Sequence, residues 1–461
     1  TQKHSQSITL ANSIIGVGIL AMPFCFQKCG VLLATLILLF MGLISRLCCY
    51  FLLKSALIAR RRNIEFLAFH VFGSAGKMAV EVGMIGFLMG TCIAYFVVVG
   101  DLGPQIVAKM LNINNNDILR TSIMVIVSLV CVLPLGLLRN VDSLSNVSAA
   151  TIGFYLCLVI KVLAEAATQL VTSDWQARVE MWKPSGLLQC VPIFSMALFC
   201  QAQLFEIFES HPMISMEKMN LVTKNAINIC TSVYFTLGVF GYIAFSSQEI
   251  SGNILMSLSP TMGSDVIKLG FVMSLAFSFP LIIFPCRASL YSFLYKKHVE
   301  STLGLQVSFR CITVAIVAVA LFVSLLLPNI ELVLGLVGST IGVLVCVVFP
   351  AACFVNVTFK DTNERVLAKV SPIKFIIIFD YYKVIISVMS VCILYTLFLF
   401  NSKKYNLVKR RVGTGFRFRF SFSGYRPLES LYLLKKPLQN PLRSFKDLSI
   451  HRDGQTTATL F

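Results

Sequence analysis

The sequence predicts an all-α integral membrane protein with eleven transmembrane helices. Hydrophobic residues form 57% of the chain, charged residues form only 13%, and the mean hydropathy is +0.81, which a soluble domain of this length does not need. The apolar residues are gathered into eleven stretches between Ser7 and Phe400. A helix crosses the hydrocarbon layer of roughly 30 Å with about 20 apolar residues, so each stretch is long enough to span the bilayer.

The first stretch carries a further observation, because Gly16-Val17-Gly18 interrupts it near its middle. Nearby glycines inside a spanning helix free backbone groups that lipid cannot satisfy. Such a break is tolerated where it lines a cavity, and many secondary transporters hold substrate and ion on discontinuous helices in the middle of the membrane. The break therefore points to transport more directly than the number of spans does.

The spans follow one another with short connections. They are predicted at 7–27, 31–57, 81–103, 121–138, 147–171, 187–208, 222–246, 265–294, 308–328, 331–356 and 376–400. The first stretch is too long and too interrupted by glycine for a removable signal peptide. The chain begins at Thr1 instead of methionine, which is typical of a fragment of a longer protein.

The orientation follows from the distribution of cationic residues among the loops. An amino end in the cytosol places the Arg60-Arg61-Arg62 run and most of the other loop Lys and Arg residues inside. The loop with Trp175 and Trp182 then lies outside. We therefore predict a multi-pass protein with a cytosolic amino terminus.

The last part of the chain has a different composition. Residues 403–461 contain thirteen Lys or Arg and three acidic residues, whereas residues 1–402 hold all the spans. We predict a transmembrane transporter domain at 1–402 and a basic, disordered tail at 403–461. Binding of acidic lipid headgroups by the tail is the alternative.

Ionisable groups inside spans are costly and normally face the protein interior. Lys161 and Glu165 stand one helical turn apart, which predicts an ion pair within one helix in preference to a role in ion coupling. Arg46 lies near the middle of the second span, and we expect a buried counter-charge such as Glu165 or Glu81.

Several classes of function are disfavoured. All five histidines lie in loops or tails, which removes the usual ligands for an intramembrane metal or haem, so we predict neither an enzyme nor a cofactor. An ion channel is disfavoured because the sequence has no filter motif and no regularly charged voltage-sensing helix. Nucleic acid is not an expected partner.

The eighth span carries a candidate cation site. Pro280 and Pro285 each remove a backbone donor, and Ser278 stands beside the first of them. A freed carbonyl next to a hydroxyl is a hard-oxygen environment that suits a small cation.

Three motifs in this order resemble a known family. They are Asn12-Ser13-Ile14-Ile15-Gly16-Val17-Gly18-Ile19-Leu20-Ala21-Met22-Pro23-Phe24, Gly100-Asp101-Leu102 and Phe284-Pro285-Cys286-Arg287. They look like the amino acid/auxin permease family and, within it, the sodium-coupled neutral amino acid transporters. The resemblance runs from about Ser5 to Phe400. It implies two inverted repeats of five helices of the LeuT type, with spans 1 and 6 broken, followed by an eleventh helix.

The resemblance also implies a substrate site. The α-carboxylate of an amino acid would rest on backbone N–H groups at Gly16, Val17 and Gly18, helped by the positive end of the half-helix that follows. In span 6 the polar interruption around Cys200 and Gln201 would contribute. Relatives commonly have histidine at position 201, so a pH response attributed to that histidine is not expected here.

Tyr95 of span 3 is the candidate for closing over the substrate, with packing at a helix interface as the alternative. A sodium ion would bind Asn12 and the Ile15 carbonyl in span 1, and Ser274 and Ser278 in span 8.

The function implied is secondary active transport of neutral amino acids such as glutamine, alanine or serine. Alternating access would move them across the plasma membrane or an endomembrane with sodium as coupling ion. Two alternatives remain open, namely a proton-coupled transporter and an amino-acid sensor with little flux.

Overall fold

A computed structural model describes residues 2–114, 116–137, 145–172, 175–210, 215–294, 302–358, 364–366 and 368. Every regular element in this part of the chain is helical. The α-helices are α1 (Gln2–Ile14), α2 (Met22–Cys29), α3 (Val31–Ile58), α4 (Ile64–Leu111), α5 (Asp117–Val127), α6 (Leu133–Gly136), α7 (Ser145–Thr172), α8 (Trp175–Arg178), α9 (Leu187–Leu198), α10 (Gln201–Ser210), α11 (Met216–Ala244), α12 (Met262–Leu294), α13 (Thr302–Leu326), α14 (Ile330–Val337) and α15 (Phe349–Val357).

Short irregular helices connect or interrupt them. The 3-10 helices are Val17–Ala21, Pro184–Gly186 and Ile254–Met256, and the π-helical turns are Ser128–Val132, Gly338–Gly342 and Leu344–Val348.

The described residues contain nine helices long and apolar enough to cross a membrane, or ten if the bent pair Gln6–Ile14 and Val17–Cys29 forms one span. This agrees with the first ten predicted spans and confirms an all-helical membrane protein. The eleventh predicted span, 376–400, and the predicted tail, 403–461, lie outside the described residues.

The third span is longer than the sequence predicted. The prediction was 81–103, whereas α4 runs over Ile64–Leu111. The apolar pattern marks only the part within the bilayer, but backbone hydrogen bonding continues beyond it at both ends. Gly73 has a left-handed φ of +73° and sets off the 64–72 segment of α4 from the rest of the helix.

Close packing between spans 3, 6 and 10 depends on small residues. A Cβ at Gly86 would lie 2.5 Å from the Ile341 side chain, and a Cβ at Gly90 would clash with Val337. Gly338 faces the carbonyl of Pro192 in the same manner. These GxxxG pairs let the helix backbones approach one another, as is common in membranes.

Two of the carboxylates in the spans form ion pairs within their own helices. Lys161 and Glu165 form the predicted pair, with 3.2 Å between Nζ and Oε1. Glu81 pairs with Lys77, also at 3.2 Å. The counter-charges predicted for Arg46 were therefore wrong, because each of these carboxylates forms its ion pair with a lysine one helical turn away on its own helix.

One end of the bundle contains the segment 60–63 and is called the Arg60 end; the other contains the segment 178–186 and is called the Trp182 end. At the Trp182 end, the 178–186 loop packs on the junction of α2 and α3. Val31 N donates to Glu180 O at 3.1 Å, Leu32 N to Met181 O at 3.0 Å, and Lys183 N to Cys29 O at 2.8 Å.

Gly30 permits this contact between the loop and the junction. Its φ is +82°, and a Cβ there would lie 2.7 Å from the Met181 carbonyl carbon. A side chain at position 30 would therefore be strained and would push the loop away.

Candidate functional site

The first span is broken between α1 and the 3-10 helix Val17–Ala21, where the helix axis bends by 56°. Gly16 N donates to Ile14 O at 2.8 Å in a tight turn, and the Gly16 backbone, with φ −98° and ψ −142°, is not helical. The first N–H groups of a helix have no partner within the helix. Val17 and Gly18 hold this position, so the break exposes backbone donors at a helix N-terminus, where an anion is favoured.

Two side chains from other helices lie against this break. A Cβ at Gly18 would lie 2.9 Å from the Cβ of Ala197 on α9. A Cβ at Gly16 would lie 3.5 Å from the Tyr95 hydroxyl. The Tyr95 ring is 94% buried and meets the Phe279 ring edge to face at 5.2 Å. The structure thus places Tyr95 beside the glycine break.

The second break separates α9 from α10 at Phe199 and Cys200. Phe199 has extended backbone angles of −72° and 125°, which end α9 at Leu198. The fully buried Gln201 side chain satisfies the opened backbone: Oε1 accepts from Cys200 N at 3.0 Å, and Nε2 donates to Cys346 O at 2.9 Å. Cys346 lies in the π-helical turn Leu344–Val348 of span 10. Both ends of the Gln201 amide are therefore bonded to backbone.

Cys200 is held on the side of span 2. Its Sγ lies 3.5 Å from Cys49 Sγ, and both residues are fully buried. Ser45 on the same helix donates its hydroxyl to Leu198 O at 2.7 Å, which satisfies a carbonyl at the end of α9. Span 2 thus supports the second break.

Tyr234 of α11 joins the two breaks. Its hydroxyl lies 3.2 Å from Ile14 O, at the end of α1, and 3.0 Å from Ala197 O, near the end of α9. The side chain is fully buried, and its single hydroxyl hydrogen is shared between the two carbonyls. This role could not be predicted from a tyrosine in an apolar span, because the partner carbonyls lie 220 and 37 residues away in the chain.

The four predicted sodium ligands fall into two groups. Asn12 and Ile15 lie at the first break, while Ser274 and Ser278 lie on α12. α1 packs mainly on α11, whereas α12 packs mainly on α4, so the two groups are not gathered by the principal helix contacts.

On α12, the Ser274 hydroxyl is buried and has no hydrogen-bond partner, while Ser278 is half-buried. An unsatisfied buried hydroxyl is a donor type that fits a hard cation. The described residues contain no group of three His, Cys, Asp or Glu side chains that could hold a metal ion.

Comparisons with known proteins agree with this architecture. The family model "Transmembrane amino acid transporter protein" matches residues 3–396. The human protein "Solute carrier family 38 member 10" is 36% identical over 366 residues, which are 78% of this chain and 33% of that protein. This chain thus spans about a third of the length of that relative.

Shorter relatives match over most of their own length. "Vacuolar amino acid transporter 5" of Schizosaccharomyces pombe is 29% identical over 359 residues, 76% of this chain and 83% of that protein. "Vacuolar amino acid transporter 2" of Saccharomyces cerevisiae is 24% identical over 372 residues, 78% of this chain and 77% of that protein.

Proposed function

Because the chain belongs to the transmembrane amino acid transporter family, we propose that it is a secondary active transporter that moves neutral amino acids by alternating access. Glutamine, alanine and serine are the expected substrates. The family and the relatives are transporters, not enzymes. The relatives' names support an amino acid as cargo, and the exposed apolar side chains around the bundle support a lipid environment.

One observation carries the proposal: two interrupted helices meet where Gly18 touches Ala197, and Tyr234 bonds to both. The substrate carboxylate rests on the N–H groups at Gly16 to Gly18, next to the Tyr95 hydroxyl, which closes over it. Cys200 and Gln201 form the opposite side. Because the Gln201 amide is bonded at both ends, we infer that it acts by positioning the second break.

Sodium is the proposed coupling ion, and it is cargo like the amino acid. Its ligands are Asn12 and the Ile15 carbonyl on one side, and Ser274 and Ser278 on the other. The partnerless Ser274 hydroxyl supports the site. Pro280 adds to it because proline cannot donate to the carbonyl of Ala276 one turn earlier. Movement of α1 toward α12 would complete the coordination.

The full architecture of the proposal has eleven helices in two inverted repeats, within a domain at 1–402. The amino terminus is cytosolic, so the Arg60 end faces the cytosol, and the membrane is the plasma membrane or an endomembrane. A single cysteine at position 178 in a cysteine-free background should react from outside, and one at position 61 only after permeabilisation. The reverse labelling would overturn this orientation. Binding of acidic lipid headgroups by 403–461 stays a prediction.

The experiment that tests the function is uptake of radiolabelled glutamine, alanine and serine into vesicles that contain the purified protein. Saturable uptake that rises with a sodium gradient is expected. Binding without flux would instead identify a sensor, and uptake driven by a proton gradient without sodium would identify proton coupling.

A matched pair of serine variants tests the ion site. Ser274→Ala removes one proposed ligand and should raise the sodium concentration for half-maximal uptake about tenfold, which corresponds to about 1.4 kcal/mol of binding free energy. Ser324→Ala is the control, because Ser324 is equally buried but its hydroxyl bonds to Leu321 O at 2.7 Å. Equal sodium dependence in both variants would remove Ser274 from the site.

A further inference from the structure

A cluster of polar groups lies at the Arg60 end, away from both breaks. It joins three segments: the 64–72 segment of α4, the part of α4 that follows Gly73, and the last turns of α12. Its carboxylates are Glu65 and Glu81, and its hydroxyls are Ser289 and Ser292 on α12. None of these residues takes part in the substrate and sodium sites described above.

Glu81 is the buried member of the cluster. Its side chain is completely shielded from solvent. Oε1 accepts the Ser292 hydroxyl hydrogen at 2.8 Å and lies 3.2 Å from Lys77 Nζ. Oε2 is buried without any hydrogen-bond partner. A carboxylate with an unsatisfied oxygen in such a place is costly unless its charge is reduced.

Glu65 also lies close to the Ser292 hydroxyl. Ser289 donates to Glu65 Oε1 at 3.2 Å, and Ser292 Oγ lies 3.4 Å from Glu65 Oε2. A serine hydroxyl has one hydrogen, and the shorter distance assigns it to Glu81. The contact with Glu65 is then a full hydrogen bond only when Glu65 carries a hydrogen and donates it to Ser292 Oγ.

The charge balance leads to the same conclusion. Two carboxylates face one ammonium group, Lys77, which leaves one uncompensated negative charge when both are ionised. In the described part of the chain, the charged side chain that faces the pair is Lys77. Arg287, on the same half of α12, turns elsewhere: its Nη1 donates to Gly136 O and to Thr313 Oγ1, both at 3.2 Å.

We propose that Glu65 and Glu81 bind one exchangeable proton between them, with the Ser292 hydroxyl as the bridge. With the proton on Glu65, Glu65 donates to Ser292 and Ser292 donates to Glu81. With the proton on Glu81, both hydrogen bonds reverse, and Glu81 donates to Ser292 while Ser292 donates to Glu65. No atom has to move far, and the proton is conserved.

The proton has a mechanical consequence because Gly73 lies between the two carboxylates in the chain. Its left-handed backbone joins the 64–72 segment to the rest of α4. While the proton is bound, the hydrogen-bonded bridge holds that segment against α12. When the proton leaves, two like charges face each other across Ser292, and the segment can swing about Gly73. The cluster is thus a pH-sensitive latch at the Arg60 end.

Thermal unfolding of the purified full chain in detergent, measured over a pH series, tests the latch without relying on transport. The folded pair binds its proton more tightly than the unfolded chain does, so the latch stabilises the protein at low pH and is lost as pH rises. Glu65→Gln keeps a hydrogen-bond donor at all pH values. Its unfolding temperature should therefore lose this component of the pH dependence and exceed that of the unmodified protein at high pH.

Glu180→Gln is the control, because Glu180 is an exposed carboxylate paired with Lys183 at the opposite end. It should keep the pH profile of the unmodified protein. Equal pH profiles for the unmodified protein and Glu65→Gln would overturn the proposal.

A second pair of variants tests the Ser292 bridge without changing Glu65. Ser292→Ala removes the bridge but leaves both carboxylates, and should move the pH of latch release downward by about one unit or more. Ser292→Thr keeps a hydroxyl and should restore the original profile. If the alanine and threonine variants release at the same pH, Ser292 does not bridge the pair and the shared proton is refuted.

Discussion

The two breaks interrupt their helices by opposite means. At the first break, side chains are absent: Gly18 allows the 3-10 helix to touch Ala197, and Gly16 leaves room beside Tyr95. At the second break, a side chain is added: the Gln201 amide bonds to Cys200 N and Cys346 O. The first break therefore leaves backbone donors available for a ligand, whereas the second satisfies its own.

This difference suggests a division of labour between the two helices. The glycine break can accept a carboxylate because its N–H groups have no protein partner within the helix. The glutamine break is tied to span 10 and holds α9 in place, so that Ala197 forms a fixed surface opposite Gly18. One helix offers the binding groups and the other fixes their distance.

Gly18→Val, at the first break, should have the largest effect. A Cβ at this position would lie 2.9 Å from Ala197 Cβ, and overpacking of this kind costs about 1–3 kcal/mol. Amino-acid binding and uptake should fall by at least tenfold, with membrane insertion retained. Gly335→Val is the control, because a Cβ there meets no atom within 4 Å. Undiminished binding in a correctly inserted Gly18→Val protein would show that the carboxylate rests elsewhere.

Gln201→Met should have the next largest effect. It keeps the volume but leaves a buried N–H and a buried carbonyl unsatisfied, at a cost of about 1–3 kcal/mol. Thermal stability and maximal uptake should both fall. Gln27→Met is a close control, since the Gln27 amide also bonds to backbone at both ends, Gln248 O and Ile250 N, each at 2.8 Å. We expect it to lower stability without lowering uptake measured per folded protein.

Tyr234→Phe should have the smallest effect of the three, although it acts on both breaks at once. It leaves two carbonyls without their donor, and carbonyls tolerate this better than N–H groups do. A loss of about 1 kcal/mol of stability is expected, together with a several-fold lower uptake rate. Tyr242→Phe, on the same helix, removes a hydroxyl that bonds to Arg178 O. If the two variants transport equally well, Tyr234 does not couple the breaks.

The sequence could predict the first break and most of the spans because both follow from local patterns. Two glycines separated by one residue in an apolar run mark an interruption, and runs of about 20 apolar residues mark spans. The second break was visible only as a polar interruption at 199–203, since glutamine breaks a helix through its partners and not through its own backbone preference. Its partner Cys346 lies 145 residues away.

Side-chain contacts between different helices could not be predicted from the sequence. Arg46 was assigned a counter-charge on another helix, yet Glu81 and Glu165 pair within their own helices. Four residues of separation is a strong local signal, and the longer-range alternative had no such signal. The role of Tyr234 was unpredictable for the same reason. Its hydroxyl bonds to backbone carbonyls, so no complementary side chain in the sequence indicates the contact.

The loop at the Trp182 end has a consequence for which conformer of the helix bundle is most populated. Its three backbone hydrogen bonds hold the α2–α3 junction, and α9 begins one short helix farther along, so the loop ties together the halves of both broken helices that face this end. An opening that separates α2 from α9 at this end breaks these bonds, at about 0.5–1.5 kcal/mol each, whereas an opening at the Arg60 end leaves them intact. Without cargo, the conformer open at the Arg60 end should therefore outnumber a conformer with α2 and α9 separated by roughly tenfold to a thousandfold.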